Sequence, residues 1–189
     1  MNNACAPAVH ALPPLCLGDM QHTTGGGATC TFVLTVSVPA AQANGLRVEV
    51  IWDTATDMDS WMLAPGAAVW AGADSLYYAN RVPPGFGGGT SQPTLDVDDT
   101  AGFGPENMNI VAPSVGVTYS IGVHAYRGNA RAEVRIFCGG ALQISSPRSL
   151  TNRQFWHAAD VTFAADNSCT VGLRTEIYSE SPTSVTYPR

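Results

Sequence analysis

"LRVEVIW", residues 46–52, is the stretch that decides the class of fold. Leu46, Val48, Val50 and Trp52 take every second position, with Arg47 and Glu49 between them. Successive side chains of an extended chain point to opposite faces, so this segment reads as a strand with one apolar and one polar side. A strand of that kind packs one side on a core and leaves the other wet, as in antiparallel sheets.

Working outward, the same grammar recurs. "TFVLTVSV" (31–38) is β-branched and alternating, and "MDSWML" (58–63) and "SLYYAN" (75–80) are shorter candidates. "VTYSIGVHAY" (117–126) and "ARAEVRIF" (130–137) flank "RGN", where Gly128 and Asn129 can take positive φ, so a β-hairpin is expected there. "ALQISS", "FWHAADVTF" and "CTVGLR" complete the set, and no helical stripe of useful length appears. The expected fold is all-β: an antiparallel β-sandwich, jelly-roll or Ig-like, of roughly 8–11 strands. Residues 1–30, rich in Pro, Gly and Cys, are expected to form an irregular N-terminal segment, 31–177 the sandwich, and 178–189 an exit tail. "VPPGFGGGTSQP" (82–93) is expected to be an exposed, mobile loop; no Lys and no helix follow its glycines, so it is not a phosphate cradle.

The 189-residue chain carries a net charge of −6 and no Lys. That balance cannot neutralise a run of phosphates and argues against nucleic acid. No apolar run reaches the length of a membrane span. The acidity is regional: Asp53, Asp57, Asp59, Asp74, Asp96, Asp98, Asp99 and Glu106 face one base, Arg81, between positions 53 and 106, so eight acids less one base give −7 there. Five cysteines stand at 5, 16, 30, 138 and 169 without zinc-finger spacing, which points to disulfides and an oxidising, extracellular or cell-surface location. Cys138 and Cys169 end and begin late strands and are one candidate pair; Cys5, Cys16 and Cys30 supply another pair to staple the N-terminal segment, and one thiol is left over. The opening "MNNACAPAVH" has neither the basic nor the apolar region of a signal peptide.

"DTATDMDSW" (53–61) and "LDVDDTAGFGPEN" (95–107) hold most of the acids. Alternation places Asp57 and Asp59 on one face with Met58 opposite, and Asp96 and Asp98 on one face with Leu95 and Val97 turned to the core. Two such pairs meeting at one end of a sandwich would suit a hard cation with six to eight oxygen ligands at roughly 2.3–2.6 Å, calcium before magnesium. The ligand set is Asp57, Asp59, Asp96, Asp98 and Asp99, with Asn80 and Glu106 next, and Asn107 and backbone carbonyls as neutral oxygens. An EF-hand is excluded, because counting from Asp96 the sixth position is Ala101 and the twelfth Asn107. The competing explanation is turn chemistry, since Asp, Asn and Gly gather wherever backbone must turn.

"WDTATDMDSWMLAP", "YYANR", "LDVDDTAGFGPENMNI", "YSIGVHAY" and "VRIFCGG", in this order, resemble the YfaP-like family of bacterial secreted or envelope domains, over roughly residues 46–173. The D-D-T-x-G-x-G-P-E-N element is the specific part; Ser60–Trp61 stands where that family often has Leu–His. The resemblance implies an extracellular β-sandwich and strengthens the expectation of calcium.

Other chemistries are weaker. His124, alternating with Tyr126, reads as a half-buried, satisfied strand histidine, and no G-x-S-x-G elbow marks a nucleophile. A carboxylate-pair hydrolase finds no cleft. Trp61, Trp70, Tyr77 and Tyr78 surround the acidic region and are candidate sugar contacts, against ordinary packing. The expected function is non-catalytic: a calcium-binding surface module for a protein or glycan partner, for adhesion, or for self-assembly of a surface structure. A carbohydrate-binding accessory module is the first alternative.

Overall fold

The computed structural model describes residues 20–23, 29–32, 45–86, 92–166, 168–179 and 181–183. It divides into two compact units, residues 1–38 and 39–189. In the first, β1 (Met20–Thr23) pairs antiparallel with β2 (Thr29–Phe32). Cys5, Cys16 and most of "TFVLTVSV" lie outside the described residues, as do positions 87–91 of the glycine-rich loop.

The second unit is an antiparallel β-sandwich. Its strands are β3 (Leu46–Trp52), β4 (Asp57–Leu63), β5 (Ser75–Leu76), β6 (Thr94–Leu95), β7 (Glu106–Ile110), β8 (Thr118–Arg127), β9 (Ala130–Cys138), β10 (Ala141–Leu150), β11 (Phe155–Phe163), β12 (Cys169–Leu173) and β13 (Ile177–Tyr178). One sheet runs β10-β9-β3-β7-β6 and the other β12-β11-β8-β4-β5, with β13 also on β11. Among the described residues the single helical piece is a 3-10 turn at Pro84–Phe86.

The opening stretch behaves as its alternation dictates. Leu46, Val48, Val50 and Trp52 are buried, and Arg47, Glu49 and Ile51 are half-buried. Across the core they meet Met58 and Met62 of β4, Tyr119, Ile121, Val123 and Ala125 of β8, and Trp156, Val161 and Phe163 of β11. Cys138 and Cys169 are joined, and the bridge links β9 of one sheet to β12 of the other.

One expectation changes. β8 and β9 are not a hairpin: β8 lies between β11 and β4, while β9 lies between β10 and β3 in the opposite sheet. The apolar rows of β8 (119, 121, 123, 125) and β9 (130, 132, 134, 136) face the same core from opposite sides, so the chain turns between the sheets. Gly128, at φ 83°, makes that corner, and its N–H donates to Asn152 Oδ1 at 3.0 Å. β4, moreover, is buried on both faces. Its odd positions Trp61 and Leu63 form a second apolar cluster with Trp70 and Phe155, flanked by Tyr77 and Tyr178. Residues 64–80 therefore roof the outer side of this sheet.

Candidate functional site

The acidic end is built on β4, the 96–105 loop and the first residue of β7. Of the "LDVDD" segment only Leu95, the last residue of β6, is strand; beyond it the chain leaves the sheet, and Val97 is 51% exposed rather than turned to the core. The alternation expected for Asp96 and Asp98 therefore has no strand to act on.

Asp99 organises this loop. Its Oδ1 accepts from the N–H of Gly102 at 2.7 Å and of Ala101 at 3.3 Å, and its Oδ2 from the N–H of Gly104 at 2.9 Å. A Cβ at position 102 would stand 2.2 Å from Asp99 Oδ2, and one at 104 would stand 2.8 Å from the Val50 carbonyl, at φ +79°. Both positions need glycine, which accounts for the D-x-x-G-x-G spacing as loop architecture. The loop docks on β3: Trp52 Nε1 donates to Gly102 O at 2.8 Å, and Trp52 N to Phe103 O at 3.0 Å. Asp96 is likewise engaged, accepting from the N–H of Val97 and Asn107 and from Asn107 Nδ2 at 2.8 Å. Arg81 spans this chain, donating to the carbonyls of Leu95 and Asp96. Asn80 Nδ2 donates to the carbonyls of Gly72, Ala73 and Ser75, which makes it a staple of the roof. Asp96, Asp99 and Asn80 thus hold turns together.

Glu106 faces the core and is 1% exposed. Oε2 accepts from Ser60 N at 2.7 Å and Ser60 Oγ at 2.6 Å, and Oε1 from Asp99 N at 3.2 Å. It ties β4, the loop and β7 together. Burial pushes its carboxyl up to about 8, against the pull of Ser60, with Asp59 adding repulsion. Ser60 is therefore the partner of Glu106, a pairing that no local pattern announces.

Asp57, Asp59 and Asp98 remain. Asp57 and Asp59 are 7% and 3% exposed, on the outer face of β4, with Met58 opposite in the core. Burial raises Asp57 to about 6, and the charges of Asp59 and Asp98 add to that. Asp98 is raised by burial and then by Asp59. Among the described residues no group donates a hydrogen bond to either Asp57 or Asp98, and Arg127 and Arg81 act on them only through space. Asp59 Oδ2 lies 3.3 Å from His124 Nδ1 on the paired position of β8. His124 is 3% exposed and its Nε2 is buried without a partner, so it is neither half-buried nor satisfied as expected. Among the described residues, no three His, Cys, Asp or Glu side chains stand close enough to hold a metal ion.

The aromatic candidates separate by depth. Trp61 and Trp70 are 2% and 0% exposed and belong to the second cluster, so neither has its ring face open for a ligand to stack on. Tyr77 stacks on Trp61 with centroids 4.2 Å apart, and Tyr78, 43% exposed, meets it edge-on at 6.4 Å. Farther along the outer face, Ser120 Oγ and His157 Nε2 both approach Asp160 Oδ1, at 2.6 and 3.0 Å, while Arg174 holds Oδ2. Burial works against this carboxylate, but those donors outweigh it and keep the acid below its usual range. Ser and His share one acceptor here rather than bonding each other, which is a strut between β8, β11 and the residue that follows β12 and not a nucleophile with its base.

A solved structure of a protein of unknown function, SAV2460, is similar to this chain with a TM-score of 0.52 and 18% identity, over 74% of this chain and 92% of that one. A homologue of the telluride resistance protein TerD, SCO6318 from Streptomyces coelicolor A3(2), gives a TM-score of 0.48 and 15% identity over the same shares. The first likeness concerns the fold. No family model matches the sequence, and no curated protein matches it.

Proposed function

We propose that the protein is a non-catalytic binding module whose acidic end takes up a hard divalent cation, calcium first, between Asp57 and Asp59 of β4 and Asp98 of the loop. One observation carries the reading. Asp57 and Asp98 are raised by burial and then by the charge of Asp59, while neither receives a hydrogen bond from any of the described residues. Their donor chemistry is oxygen only, which suits calcium and not zinc. Their spacing is wider than a closed coordination shell. Uptake of the ion therefore requires these side chains to close, with Asp98 contributed by the loop. Asp96, Asp99 and Asn80 act as the frame.

The formed Cys138–Cys169 bridge supports an extracellular or envelope setting, in keeping with the YfaP-like resemblance. A rigidified loop end would present a surface to a protein or glycan partner, or to another copy of the chain.

The test is a thermal melt with calcium and with EDTA, on the wild type and on Asp57→Asn and Asp98→Asn. Calcium at 100 times its dissociation constant is expected to stabilise the wild type by about 2.7 kcal/mol, with most of that gain lost in either variant. A calcium-independent melting temperature in the wild type, with no ion retained after dialysis, refutes the reading.

A further inference from the structure

The Asp57 end of the outer face holds two buried polar atoms that the fold leaves unpaired, Trp61 Nε1 and His124 Nε2. Their residues are 2% and 3% exposed. Register places them together: Asp59 pairs with His124 and Trp61 with Gly122, so Trp61 and His124 are diagonal neighbours on one face. Such diagonals stand about 7–8 Å apart, within reach of long side chains. Buried polar groups are ordinarily satisfied, and two orphans side by side call for an explanation.

Their chemistry is complementary. Indole Nε1 only donates. His124 turns Nδ1 to Asp59 Oδ2 at 3.3 Å, which leaves Nε2 as a ring nitrogen that donates or accepts with its tautomer. A hydroxyl group gives and takes one hydrogen bond each, so a single O–H satisfies both atoms. Around them stands an aromatic rim. Tyr78 and Tyr126 are 43% and 37% exposed; Tyr78 meets Trp61 edge-on at 6.4 Å, and Tyr126 meets His124 at 5.9 Å. Arg153 backs the Tyr126 ring, 4.8 Å from its centroid. Burial, and after it the charges of Asp59 and Asp98, raise the Tyr78 hydroxyl, which sets the rim beside the acids.

We infer that this patch binds an uncharged carbohydrate. A sugar ring lies on the Tyr78 and Tyr126 rim, and one of its hydroxyls reaches Trp61 Nε1 and His124 Nε2 as the 77–80 turn opens. The neighbouring carboxylates accept from further hydroxyls and turn away anionic sugars. The assignment does not rest on the cation reading, because the two orphan atoms and the rim belong to the protein.

The experiment uses the full chain with 15N-labelled histidine, titrated with neutral methyl glycosides and short neutral oligosaccharides, in EDTA and again in calcium. The expected result is a ligand-dependent shift of His124 Nε2, with tryptophan fluorescence changing in parallel. A single sugar should bind with Kd of about 1 mM. Tyr78→Ala, at an exposed position, should weaken binding about tenfold without lowering the melting temperature, and Tyr78→Phe should restore most of it. Binding in EDTA supports the inference even if calcium leaves the melting temperature unchanged, so the two readings fail separately. The inference is overturned if no neutral glycan moves His124 Nε2, which would assign the gap to a buried water, or if binding survives loss of the Tyr78 ring.

Discussion

Replacing Glu106 by Gln isolates what it costs this fold to bury a carboxyl. Glu106 is 1% exposed, and its folded value stands at about 8 against 4.5 for the free side chain. A proton is therefore held more tightly in the folded state than in the unfolded state. The stability it lends is complete below about pH 4.5 and is lost as pH rises to about 8. Across that interval the unfolded chain has released the proton and the folded chain has not, so stability falls by about 1.4 kcal/mol per pH unit, on the order of 5 kcal/mol in all. Asp57, raised to about 6, adds its own decline only in the lower part of the range. Above about pH 6 the difference between wild type and variant belongs to Glu106, since every other group is common to both proteins. Gln keeps an acceptor for Ser60 N and Oγ but turns an amide N–H₂ toward Asp99 N, much as a protonated Glu106 turns its O–H. The two proteins should therefore match within about 1 kcal/mol near pH 4.5. Near pH 8 the variant should be the more stable by several kcal/mol. Urea titrations in EDTA at a series of pH values, with the disulfide intact, measure this directly. Parallel curves for wild type and variant between about pH 6 and 8 would refute the reasoning. They would mean that Ser60 and Asp99 N–H hold the carboxylate ionised despite its burial.

Two further outcomes follow from the packing. Reducing Cys138–Cys169, or replacing both by Ala, frees a loop of 31 residues and should cost about 3–4 kcal/mol, read from denaturant midpoints; an unchanged midpoint would remove the bridge from the stability of the sandwich. Gly122→Ala places a Cβ 2.3 Å from the Phe155 ring and 3.1 Å from that of Trp70, so a loss of about 1–3 kcal/mol is expected by calorimetry, with the second cluster perturbed in near-UV circular dichroism; a neutral result would mean the roof over β8 is loose.

How far the sequence is legible depends on the range of the interaction that fixes each feature. "LRVEVIW" is a core strand because alternation is local, and β3 carries that pattern into the sandwich unchanged. "VTYSIGVHAYRGNARAEVRIF" is two strands on the same grounds, but their assignment to different sheets is not local. It depends on the pairing of β9 with β3 and of β8 with β4, distant in sequence in both cases (Asp59 with His124 is 65 apart). Turn residues alone cannot distinguish a hairpin from a corner. "MDSWML" lacks a clear period because both its faces are buried, and the roof that buries the outer one comes from residues 64–80.

The regional acidity yields to the same analysis. Composition counts charges, whereas coordinates show what each oxygen accepts. Asp96 and Asp99 spend their oxygens on nearby N–H groups, as turn chemistry requires. Glu106 spends its own on Ser60, 46 positions away, where no spacing rule could reach. With those subtracted, and with Asp53 accepting from Arg131 N and Asp74 exposed to solvent, the unexplained charge shrinks to Asp57 and Asp98, facing the Asp59–His124 pair. A bulk solubility effect would have left its acids dispersed and exposed, and turn chemistry would have left them hydrogen-bonded. Asp57 is neither, being 7% exposed and without a donor among the described residues. A carboxyl so placed either keeps its proton to about pH 6 or meets a cation, and a melt across that pH with and without calcium separates the two states.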